Sequence, residues 1–210
     1  ANSEIKDTTT TVVFESACFN GPSVRVTAKK NGGGVALSQV SSGSAKIPSK
    51  LVLSGSTISG NKGIGGGGAL VQTNTTLEIR SGAICNNQGR SGGGIYAAPK
   101  GTVKMSGGTV SGNKAQSAGG GIYSSTESEL TLSGGLITEN TAVSQSGGGI
   151  GAGKSSRVTL SGVKISKNSS GAQGGGVYTN EGAELVISGS EISGNNSTKD
   201  GGGVYAYGST

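Results

Sequence analysis

The sequence predicts an all-β protein, a parallel β-solenoid with three short strands in each coil of about 26–28 residues. Two observations carry this. A unit recurs through residues 51–61, 77–87, 103–113, 130–140, 158–168 and 185–195, its starts 26, 26, 27, 28 and 27 residues apart. Within it the order is constant: [LV]-x-[LIM], usually Ser-Gly, then [IV]-x-x-Asn, a segment of four to six residues, and Gly-Gly-Gly-[IV]-Tyr. A fixed period of this size is the mark of a stacked repeat, in which one unit cannot bury its own apolar face but neighbours bury it for each other.

The strands follow from the local pattern. Leu51/Leu53, Leu77/Ile79, Val103/Met105, Leu130/Leu132, Val158/Leu160 and Leu185/Ile187 put apolar residues at i and i+2, the period of a half-buried strand. A second strand surrounds Ile58, Ile84, Val110, Ile137, Ile165 and Ile192, and a third follows the triple glycine through Ile95, Ile122, Ile150 and Val177. Helices are disfavoured because Gly, Ser, Thr and Asn interrupt every potential apolar helical face. Stacked at the roughly 4.8 Å spacing of paired strands, six units make a rod roughly 30 Å long. Variation in length is confined to the segment between the Asn and the triple glycine, such as 88–91 against 141–146, which is therefore expected to be an exposed corner. Residues 1–50 keep strand chemistry (Thr11-Val12-Val13-Phe14, Val24-Arg25-Val26) and one Gly32-Gly33-Gly34-Val35 corner but lose the spacing. They are expected to form atypical N-terminal coils or a cap, with the six regular units, the last incomplete, in 51–210.

Asn61, Asn87, Asn113, Asn140, Asn168 and Asn195 recur at one position and are expected to form a structural ladder. Stacked carboxamides hydrogen-bond to the copies above and below, and Asn tolerates left-handed backbone angles in a tight bend. Tyr96, Tyr123, Tyr178 and Tyr205 also share one position, with Gly151 interrupting the column. They follow an inward residue, so they should face outward as an aromatic stripe, either stabilising the sheet face or meeting sugar rings.

Composition narrows the chemistry. The chain has 210 residues, 43 of them Gly, no His and only two Asp, Asp7 and Asp200. Without imidazole the commonest neutral-pH acid-base group is missing, and no catalytic residues are assigned. Two Cys and no His make no zinc site, so no metal and no cofactor are expected. Glu127 with Glu129, and Glu181 with Glu184, are the nearest approach to paired carboxylates, with no Arg at a matching unit position. The net charge of +6 is spread over the corners without a dense stripe or interleaved aromatics, which argues against nucleic acid. No apolar run approaches the length of a membrane-spanning helix. Were Cys18 and Cys85 in one column two coils apart, they would lie roughly 9–10 Å from each other, outside disulfide reach. An internal bridge then needs the N-terminal segment to fold back; buried thiols or a bond between molecules are the alternatives.

The units resemble the repeats of the polymorphic membrane proteins and similar autotransporter-like surface proteins, whose tetrapeptides are GGA[ILV] and FxxN. Gly67-Gly68-Ala69-Leu70 fits the first outright; elsewhere its third residue is Gly, as in Gly92-Gly93-Gly94-Ile95. The second occurs as [IV]xxN from Ile58 and Asn61 to Ile192 and Asn195, without Phe. The resemblance covers about residues 51–205 and implies a right-handed parallel β-helix at the cell surface or outside the cell, often adhesive, whose partners are extracellular proteins or glycans. On this reading the chain is a processed or excised stretch of a non-catalytic scaffold presenting its variable corners. The alternative is a structural subunit stacking end to end on copies of itself, and a more remote one is a polysaccharide-binding or -cleaving β-helix.

Overall fold

The structure, a computed structural model, describes residues 10–15, 18–20, 33–38, 40–42 and 45–209. Strands from successive repeats pair in parallel, and the register reproduces the period: Leu51 lies beside Leu77, Leu77 beside Val103, Val103 beside Leu130, Leu130 beside Val158 and Val158 beside Leu185. Among the described residues, three seven-stranded sheets and one five-stranded sheet wrap a single apolar column. Leu77, Ile79, Ile84, Ile95, Leu130, Leu132, Ile137 and Ile150 are fully enclosed. Each such side chain contributes about 1.5–3 kcal/mol by leaving water, and each does so against its equivalents in the coils on either side. In the C-terminal coil Ile187, in line with Leu160 of the apolar column, is 41% exposed, and Val186, on the outer face of the same strand, is 44% exposed.

The expectation of three strands per coil is corrected to four. Gln88–Gly89, Lys114–Ala115, Thr141–Ala142, Ser169–Ser170 and Asn196–Ser197 form the extra, five-stranded sheet. These two residues directly follow the ladder Asn and are fixed by it: the N–H of Lys114 donates to the carbonyl of Asn87 and that of Thr141 to the carbonyl of Asn113, both at 2.9 Å. Ala115 and Ala142 are fully buried. Only the residues after them vary in number, from two at 90–91 to four at 143–146.

Each ladder Asn satisfies its polar atoms within the stack. In the middle coils Oδ1 accepts from the backbone N–H and the Nδ2 of the Asn one coil earlier, while Nδ2 donates onward and also to a carbonyl of the preceding coil's second strand. The same pattern runs from Asn61 to Asn195. The left-handed backbone falls elsewhere than expected. The residue before the Asn carries it: Gly60 (φ 68°), Asn86 (56°), Gly112 (61°), Glu139 (58°), Lys167 (56°) and Gly194 (61°). The turn is thus made one residue before the Asn, whose carboxamide pairs along the stack.

The triple glycine is demanded by close approach. Gly92 has φ 65°; a Cβ on Gly93 would sit 2.3 Å from the Gly120 carbonyl oxygen, and one on Gly94 would sit 3.0 Å from the carboxamide of Asn113. Register also corrects the tetrapeptide match. Ala69 pairs with Ile95 and Leu70 with Tyr96, so Gly66-Gly67-Gly68-Ala69 is the equivalent of Gly92-Gly93-Gly94-Ile95. Ala69, not Leu70, takes the inward place, which keeps eight residues between this position and the next coil's first strand.

In the N-terminal region Thr10–Glu15, Cys18–Asn20 and Val35–Leu37 pair with Ser49–Ser54, Ser56–Ser59 and Ala69–Val71, forming one coil. An antiparallel hairpin of Val40–Ser42 and Ala45–Ile47 is inserted before the next. The Val24-Arg25-Val26 run and Gly32 lie outside the described residues. Cys18 registers with Thr57, whereas Cys85 registers with Ser59, so the two cysteines do not share a column. The single-column spacing rested on aligning Asn20 with the ladder; Asn20 instead registers with Ser59, two residues short of Asn61.

Candidate functional site

The third-strand sheet places its second residue on the outer face because the residues on either side, such as Ile122 and Ser124, point into the core. Down the rod this column reads Leu70, Tyr96, Tyr123, Gly151, Tyr178, Tyr205. The tyrosines are half-buried and stack in two pairs. Tyr96 and Tyr123 have ring centroids 5.6 Å apart at 24°, and Tyr178 and Tyr205 5.9 Å apart at 4°. Burial is the leading cause that raises the phenol pKa of Tyr123 and of Tyr178 above the ordinary value; the neighbouring phenols Tyr96 and Tyr178 add to it at Tyr123, and Tyr205 and Tyr207 at Tyr178.

Gly151 breaks the column between the two pairs, in the coil that also carries the longest corner, residues 143–146. Together these irregularities leave a cavity of about 320 Å³. Tyr123 and Tyr178 wall its two sides, and Ser144, Gln145, Gln173 and Asn180 line its rim. Ser144 is tied to the neighbouring coil by donating to the Gln116 carbonyl at 2.6 Å, and Ser146 holds Gln173 by donating to Oε1 at 3.2 Å. No charged side chain lines the cavity. The period alone marks the tyrosines; Gln145, Gln173 and Asn180 have no repeat signature. The signal available in the sequence was the coincidence of the longest corner with the missing tyrosine.

The candidate carboxylates lie in ion pairs between coils. Glu127 faces Lys100 at 3.5 Å, Glu181 faces Lys154 at 2.8 Å and Glu184 faces Arg157 at 2.7 Å, each across one coil. The reading that no Arg matches these positions is corrected: Arg157 registers with both Glu129 and Glu184. Among the described residues no three His, Cys, Asp or Glu side chains converge. A second hollow, of about 390 Å³, opens on the first-strand face, where Glu78 is held by both Lys50 and Arg80. Those two hydrogen bonds lower the Glu78 pKa below its ordinary value. Among the described residues no helix is long and apolar enough to cross a membrane.

No curated protein and no solved structure matches the chain. Residues 103–210, just over half of the sequence, match the family described as a right handed beta helix region. Its parallel coils, apolar column and in-register Asn ladder agree with that match, and the chain belongs to the right-handed β-helix family.

Proposed function

We propose that this β-helix is a non-catalytic scaffold, displayed at the cell surface or secreted, that holds one variable corner and the adjoining tyrosine face towards an extracellular protein or glycan. The observation that carries the reading is where irregularity is allowed. Strands, ladder and glycine corner keep register to the residue, while the loops at 90–91, 116–118, 143–146, 171–173 and 198–200 differ in length and composition on one edge. A scaffold that is rigid everywhere except along one edge is the usual arrangement for loops that bind. The ion-paired state of Glu127, Glu181 and Glu184 favours a structural use of these carboxylates over general acid-base work.

The test is twofold. An antibody against residues 143–146 is expected to label intact source cells or their medium, and labelling only after permeabilisation overturns the location. Replacing 143–146 with the shorter 116–118 segment is expected to leave thermal unfolding nearly unchanged while reducing adhesion of the labelled chain to a panel of immobilised matrix proteins and glycans. Adhesion unaffected by the exchange overturns the corner as the contact surface. Filaments with an axial rise of one rod in electron micrographs replace the scaffold reading with end-to-end stacking.

A further inference from the structure

The geometry points to the notch at Gly151 as a binding slot for one neutral pyranose ring of a glycan, held between the faces of Tyr123 and Tyr178. The assignment rests on the scaffold reading above and names the ligand chemistry of one point on its contact edge. The backbones of Tyr123 and Tyr178 stand two coils apart, about 9–10 Å at the usual strand spacing, with Gly151 between them and the Tyr123 ring leaning over it, its Cδ2 3.2 Å from where a Gly151 Cβ would lie. Two carbon–carbon contacts of about 3.5–4.0 Å span about 7–8 Å. The C–H faces of a pyranose are apolar and match the aromatic walls, while its equatorial hydroxyls project to the rim.

The rim supplies what those hydroxyls need. Gln145 and Asn180 carry carboxamides, which both donate and accept, and Ser146 occupies Gln173 Oε1 so that the Gln173 amide hydrogens are left to donate. With no cation or carboxylate on the lining, the slot offers nothing specific to a uronic or sialic acid. The cavity of about 320 Å³ lies at the small end of ligand sites, suited to one or two sugar units and not to a long chain.

Gly151 is also a well-placed point for a test. Its φ is not in the left-handed region, and a Cβ there would meet the Gly119 nitrogen at 3.0 Å and Tyr123 Cδ2 at 3.2 Å, contacts that ask a few tenths of an ångström of the Gly119 backbone and a small shift of the ring. Gly151→Tyr therefore makes the column continuous and fills the slot without demanding a new backbone.

The experiment titrates the purified chain with methyl glycosides of glucose, galactose, mannose and N-acetylglucosamine, with methyl glucuronide and with p-cresol. Binding is followed by calorimetry and by tyrosine emission, which Trp does not mask in this chain. Saturable millimolar binding of at least one neutral glycoside is expected, lost at least tenfold in G151Y and Y178A, with G151Y unfolding at or above the wild-type temperature. Failure of every neutral glycoside to bind up to about 100 mM overturns the proposal. So does binding that survives G151Y, or p-cresol or the glucuronide binding more tightly than the neutral sugars. Cell or matrix adhesion retained by G151Y but lost on the 143–146 exchange overturns the slot while leaving the scaffold standing.

Discussion

Asn113 donates both its backbone N–H and its Nδ2 to one atom, Oδ1 of Asn140, at 3.0 Å each. Asn140 is fully buried, so these bonds form where no water can replace them. Its own Nδ2 continues to Asn168 and to the Val110 carbonyl at 2.9 Å. Asn140→Ala removes four hydrogen bonds and leaves the Asn113 backbone N–H without its acceptor, while Asn113 Nδ2 keeps the Ile84 carbonyl and Asn168 Oδ1 keeps the Asn140 backbone N–H; it is expected to cost about 2–4 kcal/mol, read from the denaturant midpoint. Asn140→Asp keeps the acceptor but places a carboxylate against Asn168 Oδ1. It should be at least as damaging at pH 7 and partly recover as acid restores a donor on the carboxyl.

Lys167 holds φ 56° at the position where other coils use Gly60, Gly112 and Gly194. A left-handed residue with a Cβ is strained by about 1–2 kcal/mol, offset in part by the larger entropy that glycine loses on folding. Lys167→Gly is therefore expected to stabilise the protein by about 0.5–1 kcal/mol, raising the thermal midpoint with no change in the circular dichroism spectrum. Glu139→Gly should do the same. The reverse change, Gly112→Ala, brings a Cβ to 2.5 Å from Asn86 Oδ1 as well as adding strain, and should lower the midpoint.

Stability should change at both ends of the pH scale for opposite reasons. Ion pairing with Lys50 and Arg80, Lys154 and Lys164 lowers the pKa of Glu78, Glu181 and Glu191 respectively from 4.5. Their folded state binds fewer protons than the unfolded one, so the stability they add is present above 4.5 and is lost as pH falls through the lowered values. Tyr123 and Tyr178 have pKa values raised from 10.0, so the stability they add is present below 10.0 and is lost as pH rises through the raised values. The melting temperature should form a plateau between about pH 5 and 9 and fall on both sides. Added salt should flatten the acid limb, which comes from exposed pairs, more than the alkaline limb, which comes from half-buried phenols.

The parts legible in the sequence were those that repeat in both directions, along a strand and from coil to coil. Leu77 and Ile79 announce a strand by spacing, and Leu51 and Val103 announce it again one period away. The fourth strand has no such signature, because Lys114-Ala115 and Ser169-Ser170 share only backbone pairing and a small inward residue. The left-handed position was missed for a related reason: Gly, Asn, Glu and Lys all occupy it, so it shows no residue preference to read. At the candidate site the tyrosines were legible by period. The rim was not, since Gln145 and Gln173 reach the notch only through the path of loops whose lengths differ between coils.

Ala142 shows what the fourth strand requires. It is fully enclosed, pairs with Ala115 on one side and Ser170 on the other, and lies one residue before the four-residue corner over the notch. Only small residues stand at this point in the middle coils, where the ladder Asn and the triple glycine draw two stretches of backbone together. A Cβ on the neighbouring Gly120 would already sit 2.5 Å from the Thr141 carbonyl carbon. Ala142→Leu adds three carbons with no void to receive them, and is expected to destabilise by about 1–3 kcal/mol, whereas Ala142→Ser should cost less than about 1.5 kcal/mol because Ser170 shows that a hydroxyl is accommodated. Both variants should be followed by chemical denaturation and by hydrogen exchange at residues 143–146. If Ala142→Leu proves neutral and exchange in the corner is unchanged, the two-residue strand does not anchor the loop, and the corner is held from its glycine end alone.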